Sequence, residues 1–315
     1  MRELTIAGRR IADDTEAFVI AEIGCNHQGS VETARQLIQA ASEAGCDAVK
    51  FQKRHLSTWA QRDPEGWARE YNSEHAFGRT YGEHRAALEF GRDQYSELKT
   101  FAEDRGLVFF ATAFDLPSLE LLCDLGVPAI KLASASIVDL PLLDACAVAG
   151  LPVIASTGGA TEAETDIAVQ HLRGRSPLVF HNFVGYGQQN FALLQCTATY
   201  PCEPEDMNLC VIRSLRSRYA DMVIGLSDHQ SGIAMAPVAY TLGARIFEKH
   251  FTLHRAWKGS DQAFSLEPGG MRRMVRDLRR TRQAMGDGVK RRLEAEVPAL
   301  VKMGRTDLAR ERLMA

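Results

Sequence analysis

The sequence of 315 residues lacks the features that mark several large classes of protein. Its seven cysteines form no Cys-x-x-Cys pair, so neither a disulfide framework nor a structural zinc site is expected. No apolar run reaches the roughly 18 residues of a membrane span, and no apolar signal region opens the chain, which predicts a cytoplasmic protein. A net charge of -3 gives no broad basic surface, so we expect neither nucleic acid nor a membrane as partner.

Short apolar runs alternate along the chain with longer helical patterns, which is typical of parallel β-strands joined by helices. Several helical patterns end at a glycine, the usual stop signal of a helix. Eight such units close into a barrel more readily than they form an open sheet. The sequence therefore predicts an α/β fold, a (β/α)₈ TIM barrel. Its predicted strands are 19–24, 48–52, 108–113, 129–134, 152–157, 193–198, 223–228 and 246–251.

Some segments fall outside this repeat. Residues 4–11 are predicted to form an N-terminal β-hairpin that closes one end of the barrel. Residues 53–92 and 175–190 are long insertions, and connections of that length in a compact domain are often functional. An eighth helix is predicted over 268–285, followed by a short, charged helical tail. The predicted domains are 1–288 for the barrel and 289–315 for the tail.

Polar residues stand at the carboxyl ends of all the predicted strands, and in a barrel these ends face one mouth where the active site lies. His229 and His250 end neighbouring strands, with Glu22 nearby. Two neutral imidazoles with open coordination positions suit a Lewis-acidic Mn²⁺, Zn²⁺ or Co²⁺ ion. The alternative is that each histidine is a hydrogen-bonded core residue or a helix cap.

Two lysines interrupt apolar strands, where an unpaired charge is costly to bury. Lys50 and Lys131 are therefore predicted to neutralise a phosphate or carboxylate at the mouth. The alternative is an internal ion pair with Glu22 or Glu248. The predicted hydroxyl donors around the same anion are Thr112, Ser134, Ser156 and Ser227.

The motifs AEIGCNHQGS, DAVKFQK, IKLAS, ASTGG, CTATYP, GLSDHQSG and FEKHFTLHRAWKGSDQAFSLEP occur in this order. Together they resemble the sialic acid synthase (N-acetylneuraminate synthase) family over about residues 17–288. The resemblance implies a transferase of carbohydrate biosynthesis that condenses phosphoenolpyruvate with a sugar aldehyde, releasing phosphate and a 2-keto-3-deoxy sugar acid. It further implies a homodimer and a divalent metal, most often Mn²⁺, with Mg²⁺, Co²⁺ or Zn²⁺ as alternatives.

The resemblance also assigns expected roles to single residues by their place in the motifs. His229 and His250 match the family's metal ligands. The residues that match the phosphoenolpyruvate site are Lys50, Thr112, Lys131, Ser134, Ser156 and Ser227. The residues that match catalytic positions, on the acceptor side or near metal-bound water, are Glu22, Gln52, Tyr200 and Asp261, together with Lys50 and Lys131.

The chain departs from the family pattern in three places. Ser136 stands where the family carries Glu, and Ala198 stands where it has a polar residue, often Asn. The C-terminal antifreeze-like domain, which contributes an arginine to the acceptor, has no counterpart in this sequence. These differences predict an acceptor other than N-acetylmannosamine, bound instead by the two insertions. The candidates there are His84, Arg85, His181 and Asn182.

Two other functions remain open at this level. A metal-dependent aldolase or lyase using pyruvate would need the same metal site and would release no phosphate. A degenerate barrel could instead act as a binding subunit, because fold alone does not fix function. Ser136 and Ala198 favour that second alternative, whereas the retained histidine and lysine pairs oppose it.

Overall fold

The computed structural model of the chain describes residues 2–174, 190–305 and 307. Ten strands lie within the described residues. They are β1 Glu3–Ile6, β2 Arg9–Ala12, β3 Phe18–Gly24, β4 Ala48–Lys53, β5 Val108–Ala113, β6 Ile130–Leu132, β7 Val153–Ser156, β8 Phe191–Cys196, β9 Val223–Asp228 and β10 Ile246–His250. β1 and β2 form an antiparallel hairpin, and β3 to β10 form a closed barrel in chain order in which each strand is parallel to its neighbour. The predicted (β/α)₈ barrel with an N-terminal hairpin is confirmed.

The helices surround the barrel and fill its long connection after β4. Within the described residues they are α1 Val31–Ala44, α2 Leu56–Arg62, α3 Pro64–Ala68, α4 Tyr81–Leu88, α5 Arg92–Glu103, α6 Leu116–Asp124, α7 Leu140–Ala149, α8 Glu162–Leu172, α9 Val211–Arg218, α10 Met235–Thr241, α11 Pro268–Met285 and α12 Val297–Lys302. α1 shows why these sequences become helical. Its N-cap Ser30 accepts a hydrogen bond from the Thr33 amide, and Gly45 ends the helix at φ 85°, a conformation that favours glycine. Between these caps, Leu37 and Ile38 are buried in the core.

The hairpin packs into the same apolar core as the strands. Leu4, Ile6 and Ile11 are at most 1% exposed and belong to the core cluster of the barrel. Their alternation with exposed Glu3 and Thr5 gives the strand its buried face. The hairpin therefore adds apolar packing to the barrel, and it leaves the carboxyl ends of the strands to the connections that follow them.

Two strands differ from their predicted extent by two residues at an end, whereas the other barrel strands differ by at most one residue at either end. β6 ends at Leu132, because the chain turns into a 3₁₀ helix over Ser134–Ser136 and the Ser136 amide bonds the Ala133 carbonyl. β8 starts two residues earlier than predicted and ends at Cys196. It ends there because the Thr197 carbonyl turns to His229 and the Thr197 hydroxyl donates to the Asp206 carbonyl.

The insertion 53–92 is ordered by local capping rather than by a strand. Asp63 caps α3 by accepting from the Gly66 amide, and Thr80 with Glu83 forms a capping box at the start of α4. In the second insertion, residues 175–189 lie outside the described residues, so the candidates His181 and Asn182 do too.

The chain divides into two compact units, residues 1–281 and 282–315. The second unit contains α12 and a short 3₁₀ turn over Glu294–Glu296. The domain boundary predicted after residue 288 rests on the extent of the motifs and stays a prediction. In the described part of the chain, no helix is both long and apolar enough to cross a bilayer.

Candidate active site

A cavity of about 490 Å³ opens at the carboxyl ends of the barrel strands. This volume is in the range of pockets that bind small organic ligands. Each of the twelve side chains predicted for the catalytic, donor-binding and metal roles contributes to its wall. They are Glu22, Lys50, Gln52, Thr112, Lys131, Ser134, Ser156, Tyr200, Ser227, His229, His250 and Asp261. The structure thus brings the predicted set together, while the role of each residue stays a prediction.

The first lysine on the cavity floor is held by neighbouring strands. Glu22 on β3 is in register with Lys50 on β4, and the Lys50 ammonium lies 2.7 Å from Glu22 Oε2. Lys50 also donates to the Thr112 hydroxyl at 2.6 Å. Gln52 Nε2 donates to the other Glu22 oxygen at 2.8 Å, so the carboxylate is fixed from two sides.

The second lysine stands across the floor beside hydroxyl groups. Lys131 donates to the Ser156 hydroxyl at 2.7 Å and lies 3.8 Å from Glu248 Oε1. The Ser227 hydroxyl donates to the same Glu248 oxygen at 3.1 Å. Ser134 Oγ accepts from the Gly158 amide at 3.1 Å, which places a hydroxyl and a glycine-rich turn at this side of the cavity.

The four charged groups of the floor do not cancel. Burial raises the pKa of Glu22 to about 7, although Lys50 opposes the shift. Glu248 is equally buried, but the charges of Lys131 and Lys50 hold its pKa below its usual range. Near neutral pH, Glu22 is therefore partly protonated, so its carboxyl does not fully neutralise Lys50. This residual positive charge favours binding of an anion.

The two histidines lie next to each other in the same cavity. Their ring centroids are 5.4 Å apart, and burial lowers the pKa of both rings, that of His229 to about 4. His229 Nδ1 lies 2.9 Å from the Thr197 carbonyl, which makes it the donor and leaves Nε2 with a free lone pair. His250 Nδ1 is buried and has no hydrogen-bond partner among the described residues. Both imidazoles are therefore neutral and present an available lone pair.

The outer edge of the mouth is formed by Tyr200 and Asp261. The centroids of the Tyr200 and His229 rings are 4.2 Å apart, and Tyr200 is about half exposed to solvent. Asp261 Oδ2 lies 3.6 Å from His250 Nδ1, and Ser260 donates to the other Asp261 oxygen at 2.7 Å.

The strands that carry the histidines are joined by a separate ion pair on their other face. Lys249, next to His250, binds Asp228, next to His229, at 2.8 Å and also donates to the Gln230 carbonyl. Lys249 is 1% exposed and Asp228 is 4% exposed, so this pair lies away from water.

Of the two positions at which the sequence departs from the family pattern, one lines the cavity and the other does not. Ala198 lines the cavity, whereas the described wall includes Ser134 and Ala135 but not Ser136. Of the proposed acceptor contacts, Arg85 lines the cavity, while His84 is buried within the insertion and accepts from the Phe77 amide.

Other lining residues were not assigned to binding from the sequence. Arg54, Phe114 and Cys196 line the cavity, and Glu248 was considered only as an ion-pair partner. Arg54 directly follows the strand-end motif DAVKFQK, and that position was the available signal for a residue at the mouth.

Comparison with known proteins gives consistent matches. The NeuB family model matches residues 37–290. N-acetylneuraminate-9-phosphate synthase of Mus musculus is 38% identical over 98% of this chain and 82% of its own length. N,N'-diacetyllegionaminic acid synthase of Legionella pneumophila is 34% identical over 90% of this chain and 78% of its own. The crystal structure of a Leptospira borgpetersenii N-acetylneuraminic acid synthetase in complex with citrate superposes with a TM-score of 0.78 at 32% identity, covering 96% of this chain and 97% of that one.

Proposed function

The chain belongs to the NeuB family, and we propose that it condenses phosphoenolpyruvate with the open-chain aldehyde of a sugar. Its relatives are synthases, so it is an enzyme, and neither a binding subunit nor a pyruvate lyase is favoured. The observation that carries the proposal is that one cavity is lined both by Lys50 and Lys131 and by His229 and His250. A cationic floor suits the donor, and an imidazole pair suits activation of the acceptor.

The donor would lie on the cavity floor. Lys50 and Lys131 supply two positive charges, and Thr112 and Ser156 already hydrogen-bond those ammonium groups. Ser134, whose hydroxyl accepts from the Gly158 amide, lines the same cavity. Charge-assisted hydrogen bonds of this kind hold phosphate and carboxylate groups in a defined orientation. The enol carbon of phosphoenolpyruvate would then point towards the acceptor side.

We propose that His229 and His250 hold a divalent cation, most often Mn²⁺, with Mg²⁺, Co²⁺ or Zn²⁺ as alternatives. The free lone pair of His229 and the unpartnered Nδ1 of His250 fit such an ion. The described residues contain no group of three or more His, Cys, Asp or Glu arranged to hold a metal, so water or substrate oxygens would complete the coordination. A bound cation would supply Lewis-acid polarisation of the aldehyde oxygen.

The proposed reaction forms one carbon–carbon bond and replaces the bond from C2 to the phosphate oxygen by a bond from C2 to the oxygen of water. C3 of phosphoenolpyruvate attacks the aldehyde carbon, and the aldehyde oxygen takes up a proton to become a hydroxyl. Water adds at C2 and cleavage of the bond from C2 to the phosphate oxygen releases inorganic phosphate, leaving a 2-keto group. Glu22 is suited to the proton transfer because its pKa of about 7 lets it hold or release a proton near neutral pH.

The acceptor is less defined than the donor. The names of the relatives include a 9-phosphate product in the mouse enzyme and an unphosphorylated acid in the Legionella enzyme. Ala198 removes a polar group from the wall, and Arg85 from the insertion adds a charged one. We therefore propose a sugar aldehyde other than N-acetylmannosamine. We also propose a homodimer, on the family resemblance, and a cytoplasmic location.

The test is an assay of inorganic phosphate release from phosphoenolpyruvate in the presence of Mn²⁺ and a panel of sugar aldehydes. We expect release that requires both an aldehyde and the metal, with the sugar acid detected by mass spectrometry. A pyruvate-type lyase would give product from pyruvate without phosphate. Absence of aldehyde-dependent phosphate release across the panel, from metal-loaded protein, would contradict the proposal.

A further inference from the structure

The two histidines of the cavity are held in different ways. His229 Nδ1 lies 2.9 Å from the Thr197 carbonyl, and this hydrogen bond fixes the rotation of the ring. His250 Nδ1 is buried and has no hydrogen-bond partner among the described residues. Asp261 Oδ2 lies 3.6 Å from it, which is too long for a hydrogen bond. The rotation of the His250 ring is therefore set by the side chains packed around it.

Of the described aromatic rings, the one packed closest to His250 belongs to the connection after β10, residues 251–266, which we call the β10 loop. It is Phe264, which is 3% exposed, and its centroid lies 4.9 Å from that of His250 with an angle of 64° between the two planes. The loop is closed at its base by two backbone hydrogen bonds. The Leu266 amide donates to the His250 carbonyl at 2.8 Å, and the Thr252 amide donates to the Leu266 carbonyl at 3.0 Å. The loop therefore returns to the strand end that it leaves and places Phe264 against the His250 ring.

Four buried polar side chains, each at most 1% exposed, hold the β10 loop in place. They are Asn26, Thr252, Gln262 and Ser265. Asn26 Nδ2, from the turn after β3, donates to the Ser265 hydroxyl and to the Phe251 carbonyl, both at 2.9 Å. The Ser265 hydroxyl in turn donates to the Asp261 carbonyl at 2.5 Å. One amide therefore ties the base of the loop to the segment that carries Asp261 and Phe264.

The same network joins the loop to itself. The Thr252 hydroxyl donates to Gln262 Oε1 and accepts from the His254 amide at 3.1 Å. Gln262 Nε2 donates to the Asn26 carbonyl at 3.3 Å. Every buried nitrogen and oxygen atom of these four side chains has a hydrogen-bond partner. Because an unpaired polar group is costly to bury, few other conformations of the loop would keep all of these bonds.

The four side chains of this network do not themselves reach a ligand. The described wall of the cavity includes none of them, whereas it includes His250 and Asp261. A network that served the fold alone could lie anywhere in the core, but this one holds two neighbours of the His250 ring. Ser265 directly follows Phe264 in the chain and bonds the Asp261 carbonyl. The place of the network therefore links it to the orientation of that ring.

From this arrangement we infer that Asn26, Thr252 and Ser265 are positioning residues for His250, because they fix the β10 loop and the loop fixes the ring. This inference rests on the proposed function, in which His250 is one of two ligands of a divalent cation. A cation binds only the ring orientation that directs a nitrogen lone pair into the cavity, so its affinity falls with the population of that orientation. Groups that orient a metal-binding imidazole typically raise the metal affinity about tenfold to hundredfold.

The first experiment compares the wild type with Thr252→Val and Ser265→Ala, each of which removes one buried hydroxyl. The matched control is Thr165→Val, because the Thr165 hydroxyl on α8 is also buried and donates to the Thr161 carbonyl at 2.9 Å. Calorimetric titration of metal-free protein with MnCl₂ should show an affinity about tenfold to hundredfold lower in the first two variants and unchanged in the control. The KM for phosphoenolpyruvate should stay unchanged, and all three unfolding temperatures should fall by similar amounts. Equal Mn²⁺ affinity in the four proteins would overturn the inference and leave the condensation intact.

A second measurement needs neither metal nor turnover. Labelling the histidine rings with ¹³C lets NMR follow their C–H signals in metal-free protein, and His250→Ala identifies the signals of His250. We expect one sharp set in the wild type and in Thr165→Val, and broadened or doubled signals in Thr252→Val and Ser265→Ala. Thr252→Val keeps the shape of the side chain, so a folding defect of Ser265→Ala would not decide the result. Wild-type His250 signals in both variants would overturn the inference. A wild type that binds no Mn²⁺ would contradict the metal assignment, and the ring signals would still decide whether the loop orients His250.

Discussion

Charged residues are placed differently at the two ends of the barrel. At the amino end of the strands, Arg9 pairs with Asp47 at 2.7 Å, and their side chains are 41% and 25% exposed. At the carboxyl end, Lys50 pairs with Glu22 at the same distance, but their side chains are 3% and 2% exposed. A partly hydrated pair costs little, whereas buried charges carry a desolvation penalty that packed apolar groups would avoid. The carboxyl end therefore keeps charges at a cost to stability, which is expected of a site that binds ions.

The largest effect that this comparison predicts is on the histidines of the carboxyl end. His229→Ala and His250→Ala should each reduce turnover to background, because each removes one of two proposed metal ligands. The unfolding temperature should change little, since the rings lie at the cavity rather than inside the apolar core. Phosphate release and thermal unfolding measure the two quantities. His254→Ala is the control, because that side chain is 65% exposed. Full activity of a variant, or of chelator-treated enzyme, would remove the metal assignment.

The opposite behaviour is predicted at the amino end. Leu4→Ala should destabilise the fold by about 2–5 kcal/mol, because Leu4 is 1% exposed and its removal leaves a cavity in the core. The KM values should remain those of the wild type under conditions where the protein is folded. Urea unfolding and steady-state kinetics measure both, and Leu116→Ala, at a position 42% exposed, is the control. A loss of substrate affinity in the folded Leu4 variant would mean that the hairpin influences the distant mouth.

A smaller effect is predicted for the donor lysine. Lys131→Met keeps most of the side-chain volume and removes the cation, so phosphoenolpyruvate affinity should fall about tenfold to hundredfold, equivalent to roughly 1.5–3 kcal/mol. Thermal stability should change less than the affinity does, because the buried Glu248 carboxyl keeps the Ser227 hydroxyl at 3.1 Å and Lys50 at 3.9 Å as partners. Calorimetry measures the affinity, with Lys99→Met on α5 as the control. Unchanged affinity would make Lys131 a structural partner of Glu248.

The smallest predicted effect is an uptake of less than one proton per site. The pKa of Glu22 is about 7 in the free enzyme, so the carboxyl is mostly ionised at pH 8. An anion bound beside it raises that pKa further, and the protein must then take up a proton from solution on binding phosphoenolpyruvate. Calorimetry in buffers with different ionisation enthalpies measures this uptake. It should be lost in Glu22→Gln; an equal uptake in that variant would place the titrating group elsewhere.

The regular part of this molecule was predictable from the sequence, because its signals are local. The eighth helix was predicted over 268–285 and is observed as Pro268–Met285. The polar residues at the predicted strand ends were sufficient to predict which side chains line the cavity. The motifs identified the family correctly. The prediction of the cavity depends on the two-residue period of strands and on the parallel order of strands in a barrel.

Features that depend on tertiary contacts were not predictable in the same way. β8 was predicted over 193–198, but Thr197 leaves the barrel to bond His229 and Asp206, which are distant in sequence. In the sequence, Arg54 is one of two adjacent cations and looks like a solvated residue. In the structure it is covered by Phe114, the residue directly after β5, which is distant in sequence. The departure at Ser136 was read as a change in the cavity, yet its side chain is not part of the described wall.

The buried pair of Lys249 and Asp228 has a consequence for how tightly the mouth can bind. It fixes two adjacent strand ends against each other on the face opposite the imidazoles, so the separation of His229 and His250 is set before any ligand arrives. The conformational entropy needed to align the two rings is then lost during folding rather than during association. A ligand that bridges both rings meets a preorganised pair, and less of its binding free energy is spent on ordering the protein.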